Sequence, residues 1–229
     1  QQNPAGQEEN VLEIEAHYVI GSGNHARTFL HRSANGEITE LPLTWYAHEN
    51  KWGMSPGFDR PKHPDFTRQI DHGCMFCHNA YPDMEAGQDG FGRIAAFPEG
   101  LPQGIDCQRC HGPGAEHVAR ASSGKSEIKS IREAIVNPAR LSPTLQMDVC
   151  LQCHLETTSA QLPAGTRRFG RNVYSFRPGE PLTNYMVHFD HAPGTGHEGK
   201  FEIVGAAYRL RKSACYLKSE GRLTCVTCH

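Results

Sequence analysis

Four stretches of this chain share one arrangement: two cysteines separated by two residues, with a histidine directly after the second. They read Cys74-Met75-Phe76-Cys77-His78, Cys107-Gln108-Arg109-Cys110-His111, Cys150-Leu151-Gln152-Cys153-His154 and Cys225-Val226-Thr227-Cys228-His229. Two thiols at that spacing can add across the vinyl groups of one porphyrin and become thioethers. The imidazole that follows is then held against the iron as an axial ligand. The spacing therefore predicts four c-type haems, attached at Cys74, Cys77, Cys107, Cys110, Cys150, Cys153, Cys225 and Cys228, with His78, His111, His154 and His229 as proximal iron ligands. Zinc is the competing chemistry, because Cys-x-x-Cys knuckles pair into tetrahedral sites. Zinc, however, asks for no histidine after each second cysteine. A disulfide across two intervening residues is a redox motif more often than a staple.

Ten of the fourteen histidines lie outside these motifs: His17, His25, His31, His48, His63, His72, His117, His188, His191 and His197. Neutral imidazole is a good iron ligand near neutral pH, so the surplus predicts a second axial histidine on each iron. His117 is the first candidate, because the turn Gly112-Pro113-Gly114 can swing it toward a neighbouring iron; the alternative is a solvent-facing helical residue. His25 follows Gly21-Ser22-Gly23-Asn24, a turn able to approach a porphyrin face, and would otherwise be a hairpin surface residue. His188 and His191 flank Phe189-Asp190; one of them could instead partner a propionate. His63 and His72 rank below these, and His17, His31, His48 and His197 lower still. Met54 reads as a core methionine and not a ligand, and Cys215, outside every motif, as a buried thiol. Trp45, Tyr46 and Trp52 could stack on porphyrins or pack beneath a hairpin.

The elements that must position these groups are short. Val11 to Ile20 is rich in β-branched and aromatic residues. His25–Arg32 and Glu37–Tyr46 read as strands joined at Asn35-Gly36, two residues that tolerate positive φ and so favour a hairpin turn. Residues 53–70, punctuated by Gly53, Pro56, Gly57, Pro61 and Pro64, read as loop. Helices are expected over Glu116–Ala121, Glu127–Val136 and Leu145–Thr157, the last carrying the third motif and starting near Ser142-Pro143. Phe201–Arg211 could be helix or strand. The motif spacings of 33, 43 and 75 residues follow no fixed period, which argues against a solenoid. The expected fold is mostly irregular and α-helical, with a small N-terminal β-hairpin region and short helices around haem-organised motifs. It forms a single tetrahaem domain over 1–229: a β-containing cap at 1–70, the first three motifs at 71–160, and a loop-rich segment with the fourth motif at 161–229.

Composition points the same way. Hydrophobic residues make up 38% of the chain, while Gly and Pro number 23 and 15, so the polypeptide alone would struggle to bury a sufficient core. Haem supplies the missing apolar mass, and the haem-free chain is expected to be largely unfolded. The formal charge of −2 becomes clearly more acidic once each haem brings its propionates. No basic run is present and the isoelectric point is about 6.7, which excludes nucleic acid as a partner. No apolar stretch approaches the ~20 residues of a transmembrane segment. The polar opening Gln1-Gln2-Asn3-Pro4-Ala5-Gly6 reads as a mature terminus after leader removal. Haem of this kind is attached outside the cytoplasmic membrane, so a periplasmic or extracellular protein is expected.

Taken together, Gly21-Ser22-Gly23-Asn24-His25, Trp45-Tyr46, Ser55-Pro56-Gly57-Phe58-Asp59, Cys74 to Pro82, Gly104 to Gly114, Ile135-Val136-Asn137-Pro138, His188-Phe189-Asp190-His191 and Phe201 to Cys215 give the chain a family likeness. It resembles the multihaem cytochrome c domains of the cytochrome c554-like group, of the kind that precede tetratricopeptide repeats in exported bacterial proteins. The resemblance implies an irregular, haem-organised fold with bis-histidine ligation and electron transfer, and it implies His25 and His117 as distal ligands. In such proteins the chain continues past the fourth motif, whereas this sequence stops at His229, as a processed product or a fragment would. The expected activity is electron transfer with no catalysis. Redox proteins or further copies of the chain are the partners, since a fourth haem at the end of the molecule could join subunits head to tail in a conducting filament. The alternative is a multihaem redox enzyme with one five-coordinate haem acting on a small nitrogen or sulfur compound.

Overall fold

The N-terminal strands are short and rich in β-branched and aromatic residues, and they pair antiparallel. In the computed structural model they are β1 (Tyr18–Ile20), β2 (Ala26–Arg32), β3 (Ile38–Tyr46), β4 (Lys51–Met54) and β5 (Gln69–Ile70), in the order β1-β2-β3-β4 with β5 also pairing β3. The structure describes the whole chain except residues 1–2, 8–10, 22, 85–86, 91, 156–164, 190–191, 193, 197–205 and 229. Its residues group into two units. One comprises Gln1–Cys74 and Phe91–Leu101, the other Met75–Gly90 and Pro102–His229, so the division falls inside the first Cys-x-x-Cys-His motif.

In the first unit the Asn35-Gly36 hairpin forms as expected, with Arg32 opposite Ile38. Gly36 has φ +85°, and a Cβ there would lie 2.7 Å from the Phe97 carbonyl oxygen, so the turn admits only glycine without strain. Farther up the hairpin the β2–β3 pairing shifts register between Thr28 and Leu30. Beside that shift three buried hydroxyls form a chain: Thr28 Oγ1 to Thr44 Oγ1 (2.7 Å), Thr44 Oγ1 to Ser55 Oγ (2.8 Å), and Ser55 Oγ donating to the Leu41 carbonyl (2.8 Å). Buried hydroxyls need such partners, so these residues hold β2, β3 and the chain after β4 in one register. Leu30, Ile38, Phe58 and Ile70 fill the core of this unit.

Two expectations fail here. The 53–70 stretch contributes the end of β4 and all of β5, because Ile70 finds a buried place opposite Ile38 despite the local Gly and Pro. Met54, expected in the core, is 40% exposed at the end of β4. Trp45 and Trp52 form a cross-strand pair of β3 and β4 with centroids 5.3 Å apart, but Trp52 is 54% exposed and not packed beneath the hairpin.

The second unit is built from short helices: α1 (His72–His78, which enters it from the first), α2 (Gln108–His111), α3 (Ala115–Ser122), α4 (Ile128–Glu133), α5 (Pro143–His154), α6 (Ala206–Lys212) and α7 (Ala214–Lys218). A two-stranded sheet joins them, β6 (Gly165–Arg167) antiparallel to β7 (Met186–His188). The start of α5 is as read from the sequence: Pro143 occupies the first turn, and the Ser142 hydroxyl accepts from the Leu145 N–H (3.4 Å). The described part of the ambiguous Phe201–Arg211 stretch is helix. One apolar cluster, Met147, Leu151, Phe176, Leu182, Tyr185 and Ala207, packs the inner face of α5. Phe176 and Tyr185 meet edge to face with centroids 5.5 Å apart. Among the described residues no helix is long and apolar enough to cross a membrane.

Candidate haem-binding site

Each motif sits at the end of a helical turn. The first ends α1, the second is α2 with Cys107 as its N-cap, the third ends α5, and the fourth is the 3₁₀ turn Cys225–Thr227. On a helix, residues three and four apart share a face, so in the first three motifs both thiols and the histidine lie on one side of the turn. His78 and His154 are exposed at the helix ends, and His111 is half-buried.

Within the second unit the motifs converge on α5. The Cys153 thiol lies beside Cys77 of the first motif, and its Sγ lies 3.9 Å from the Phe76 carbonyl oxygen. Cys150, one turn earlier, lies beside Cys225 of the fourth motif, whose Sγ rests 3.6 Å from Met147 Sδ. Cys110 of the second motif acts in turn on both Cys150 and Cys153, raising their thiols. The hydrogen bond from Cys77 lowers the Cys153 pKa against its burial, with Arg109 adding to the effect. Burial pushes the Cys150 thiol up to about 11, with Cys225 adding to the shift. In the first unit burial raises Cys74 to about 11, although its backbone N–H is held by Asp71 (2.8 Å). Cys215 is exposed, not buried as its lack of a motif suggested; α7 turns it away from any core.

The residues inside the motifs lock them together. Gln152 donates through Nε2 to the Arg109 carbonyl (2.9 Å) and to the Val149 carbonyl (2.7 Å). Arg109 in turn donates through Nε and Nη2 to the Asn79 carbonyl (3.2 and 3.1 Å), directly after the first motif's histidine. Sequence reasoning gave no weight to either side chain. A charged residue held between two haem cysteines was the available clue.

The predicted distal histidines fare differently. His117 lies on α3 and donates from Nδ1 to the Ile131 carbonyl (2.8 Å), while His111 donates from Nδ1 to the Val136 carbonyl (2.7 Å). Both rings line one cavity of about 450 Å³, with Ile135, Val136, Arg132, Asn137 and Arg140 as its other walls. An imidazole whose Nδ1–H is fixed by a carbonyl offers Nε2 to a metal. Apolar walls suit a porphyrin, and the two arginines suit its propionates. The cavity's donor set therefore fits haem. His188 ends β7, half-buried, with its pKa lowered by burial and by Arg211 against Asp148, a shift that favours the neutral ring, the form that binds iron. His25 lies in the exposed turn before β2, its ring 5.7 Å from that of His48. His191 and His229 fall outside the described residues. The sheet also brings His17 and His31 to 5.1 Å, a pairing the sequence did not announce. His63 packs on Phe58 (5.9 Å) and buried His72 on Phe97 (4.7 Å).

No family model matches the chain, and no curated protein matches it. Among solved structures it is similar to the outer cell wall cytochrome OcwA, at 17% identity and a TM-score of 0.46 over 74% of this chain. The match spans 32% of that protein's length. The likeness is a distant one, and the functional reading rests on the four motifs and on how the second unit holds them.

Proposed function

We propose that this chain is a tetrahaem c-type cytochrome that carries electrons through closely spaced, bis-histidine haems. The observation that carries the reading is the convergence of motifs on α5, with Cys153 beside Cys77 and Cys150 beside Cys225. Each thioether sulfur sits one carbon from a porphyrin's edge, so sulfurs in contact would set neighbouring porphyrin edges side by side. Bound haem supplies one-electron exchange at iron. The chain's own residues attach it, orient the imidazoles through the Val136 and Ile131 carbonyls, and fix the motifs to one another through Gln152 and Arg109. His25, His117, His188 and His191 are the proposed distal ligands. One tetrahaem domain over 1–229, export from the cytoplasm, and redox proteins or further copies of the chain as partners belong to the same reading, as does the absence of catalysis.

The test is a spectroelectrochemical titration with electron paramagnetic resonance of the oxidised protein. Four electrons taken up reversibly per chain, with every ferric iron low-spin, is the expected result. A stoichiometric high-spin signal that changes on adding a small nitrogen or sulfur compound would replace the carrier with the enzyme.

A further inference from the structure

Arg109 is an unusual occupant of a Cys-x-x-Cys-His motif. It is 2% exposed, among the most buried residues of the chain. Its guanidinium stands over three aromatic rings, Tyr81 (4.4 Å), Phe76 (4.6 Å) and Tyr174 (5.2 Å). Two of its nitrogens donate to the Asn79 carbonyl, and Nη1 is buried with no hydrogen-bond partner among the described residues. No carboxylate pairs with it there: the ion pairs among the described residues involve other arginines. Arginine stays protonated at any accessible pH, so this is a permanent buried charge without a counter-ion among the described residues. Aromatic faces and a carbonyl stabilise a cation without cancelling its charge.

The field of that charge reaches the haem attachments. Arg109 lies between the two cysteines of the second motif, its guanidinium stands over Phe76 of the first, and its carbonyl accepts from Gln152, beside Cys153 of the third (2.9 Å). Adding an electron to a haem is favoured by a nearby positive charge, and more so where water is excluded.

We propose that Arg109 is a built-in potential-tuning residue: a buried cation with no counter-ion among the described residues, which raises the reduction potential of the haem attached at Cys107–Cys110, the motif in which it sits, and of any haem whose porphyrin edge comes as close to it. Electrons entering the molecule would then rest preferentially on that haem. The inference rests on the tetrahaem reading, and a haem count on every sample separates a failure of one from a failure of the other.

The experiment is potentiometric titration of the full holoprotein and of R109Q and R109K, each with its haem count and ferric spin state. In R109Q, with four low-spin haems retained, one or two of the midpoint potentials fall by at least a tenfold change in the reduction equilibrium, which is 59 mV for one electron. R109K, which keeps the charge, holds those midpoints near the wild type even where lost stacking lowers thermal stability. A structural role alone would destabilise both variants and leave the potentials of correctly assembled protein unmoved. Midpoints in R109Q that match the wild type, with haems intact, overturn the proposal. If R109Q does not assemble four haems, Tyr81→Leu keeps the cation and opens its cage to water. The same midpoints then fall by a smaller amount, and unmoved midpoints overturn the proposal.

Discussion

Replacing His117 with leucine separates a ligand from a structural residue, because the two roles differ in size. The ring makes one hydrogen bond, from Nδ1 to the Ile131 carbonyl at 2.8 Å. Losing one such bond costs about 0.5–1.5 kcal/mol net. The α3–α4 contact survives it, because Arg120 donates separately to the Ser130 carbonyl (2.9 Å) and hydroxyl (2.8 Å). Leucine is apolar enough for a cavity walled by Ile135 and Val136, and it cannot bind iron. The variant therefore folds, loses little stability, and leaves one iron five-coordinate. Electron paramagnetic resonance of oxidised H117L shows a high-spin signal for about one iron in four, and carbon monoxide binds that haem once reduced. A folded variant with four haems and an unchanged low-spin spectrum would refute the assignment. A loss well above ~1.5 kcal/mol with no spectral change would mark His117 as structural instead.

Three further outcomes are expected. Phe176→Ala hollows the cluster behind α5 and costs about 3–5 kcal/mol in denaturant unfolding; a cost under ~1 kcal/mol would show that the cluster does not hold that helix. Gly36→Ala places a Cβ 2.7 Å from the Phe97 carbonyl at φ +85°, and the left-handed backbone alone costs about 1–2 kcal/mol; an unchanged melting temperature would contradict the turn geometry. Cys215, exposed and outside every motif, reacts with iodoacetamide in native protein, and Cys215→Ser keeps the haem count and the potentials. A lost haem or an unreactive thiol would place Cys215 elsewhere.

What local chemistry dictates was legible in the sequence. Asn35-Gly36 specified its hairpin because the positive φ at Gly36 is a property of one residue. Ser142-Pro143 specified the start of α5 because the cap and the first-turn proline act within one turn. The helical placement of the first three motifs was legible for the same reason, since their thiols and imidazole lie within one turn of each other. Features that depend on distant partners were not. The short strand Gln69–Ile70 exists because Ile70 meets Ile38, more than thirty residues earlier, and no local pattern announces it. Cys215 was misread because burial is a property of what surrounds a thiol, and α7 exposes it. Arg109 and Gln152 looked like free spacers within their motifs. Their meaning comes from the Asn79 carbonyl and three aromatic rings brought together by the fold.

The measurement closest to the centre of this reading is the mass of the purified, denatured chain, taken with its pyridine haemochrome spectrum. Four haem masses that survive acid and organic extraction, with the absorption of haem bound through two thioethers, are predicted. Fewer than four covalent haems, haem that extracts freely, or zinc in place of iron would contradict it.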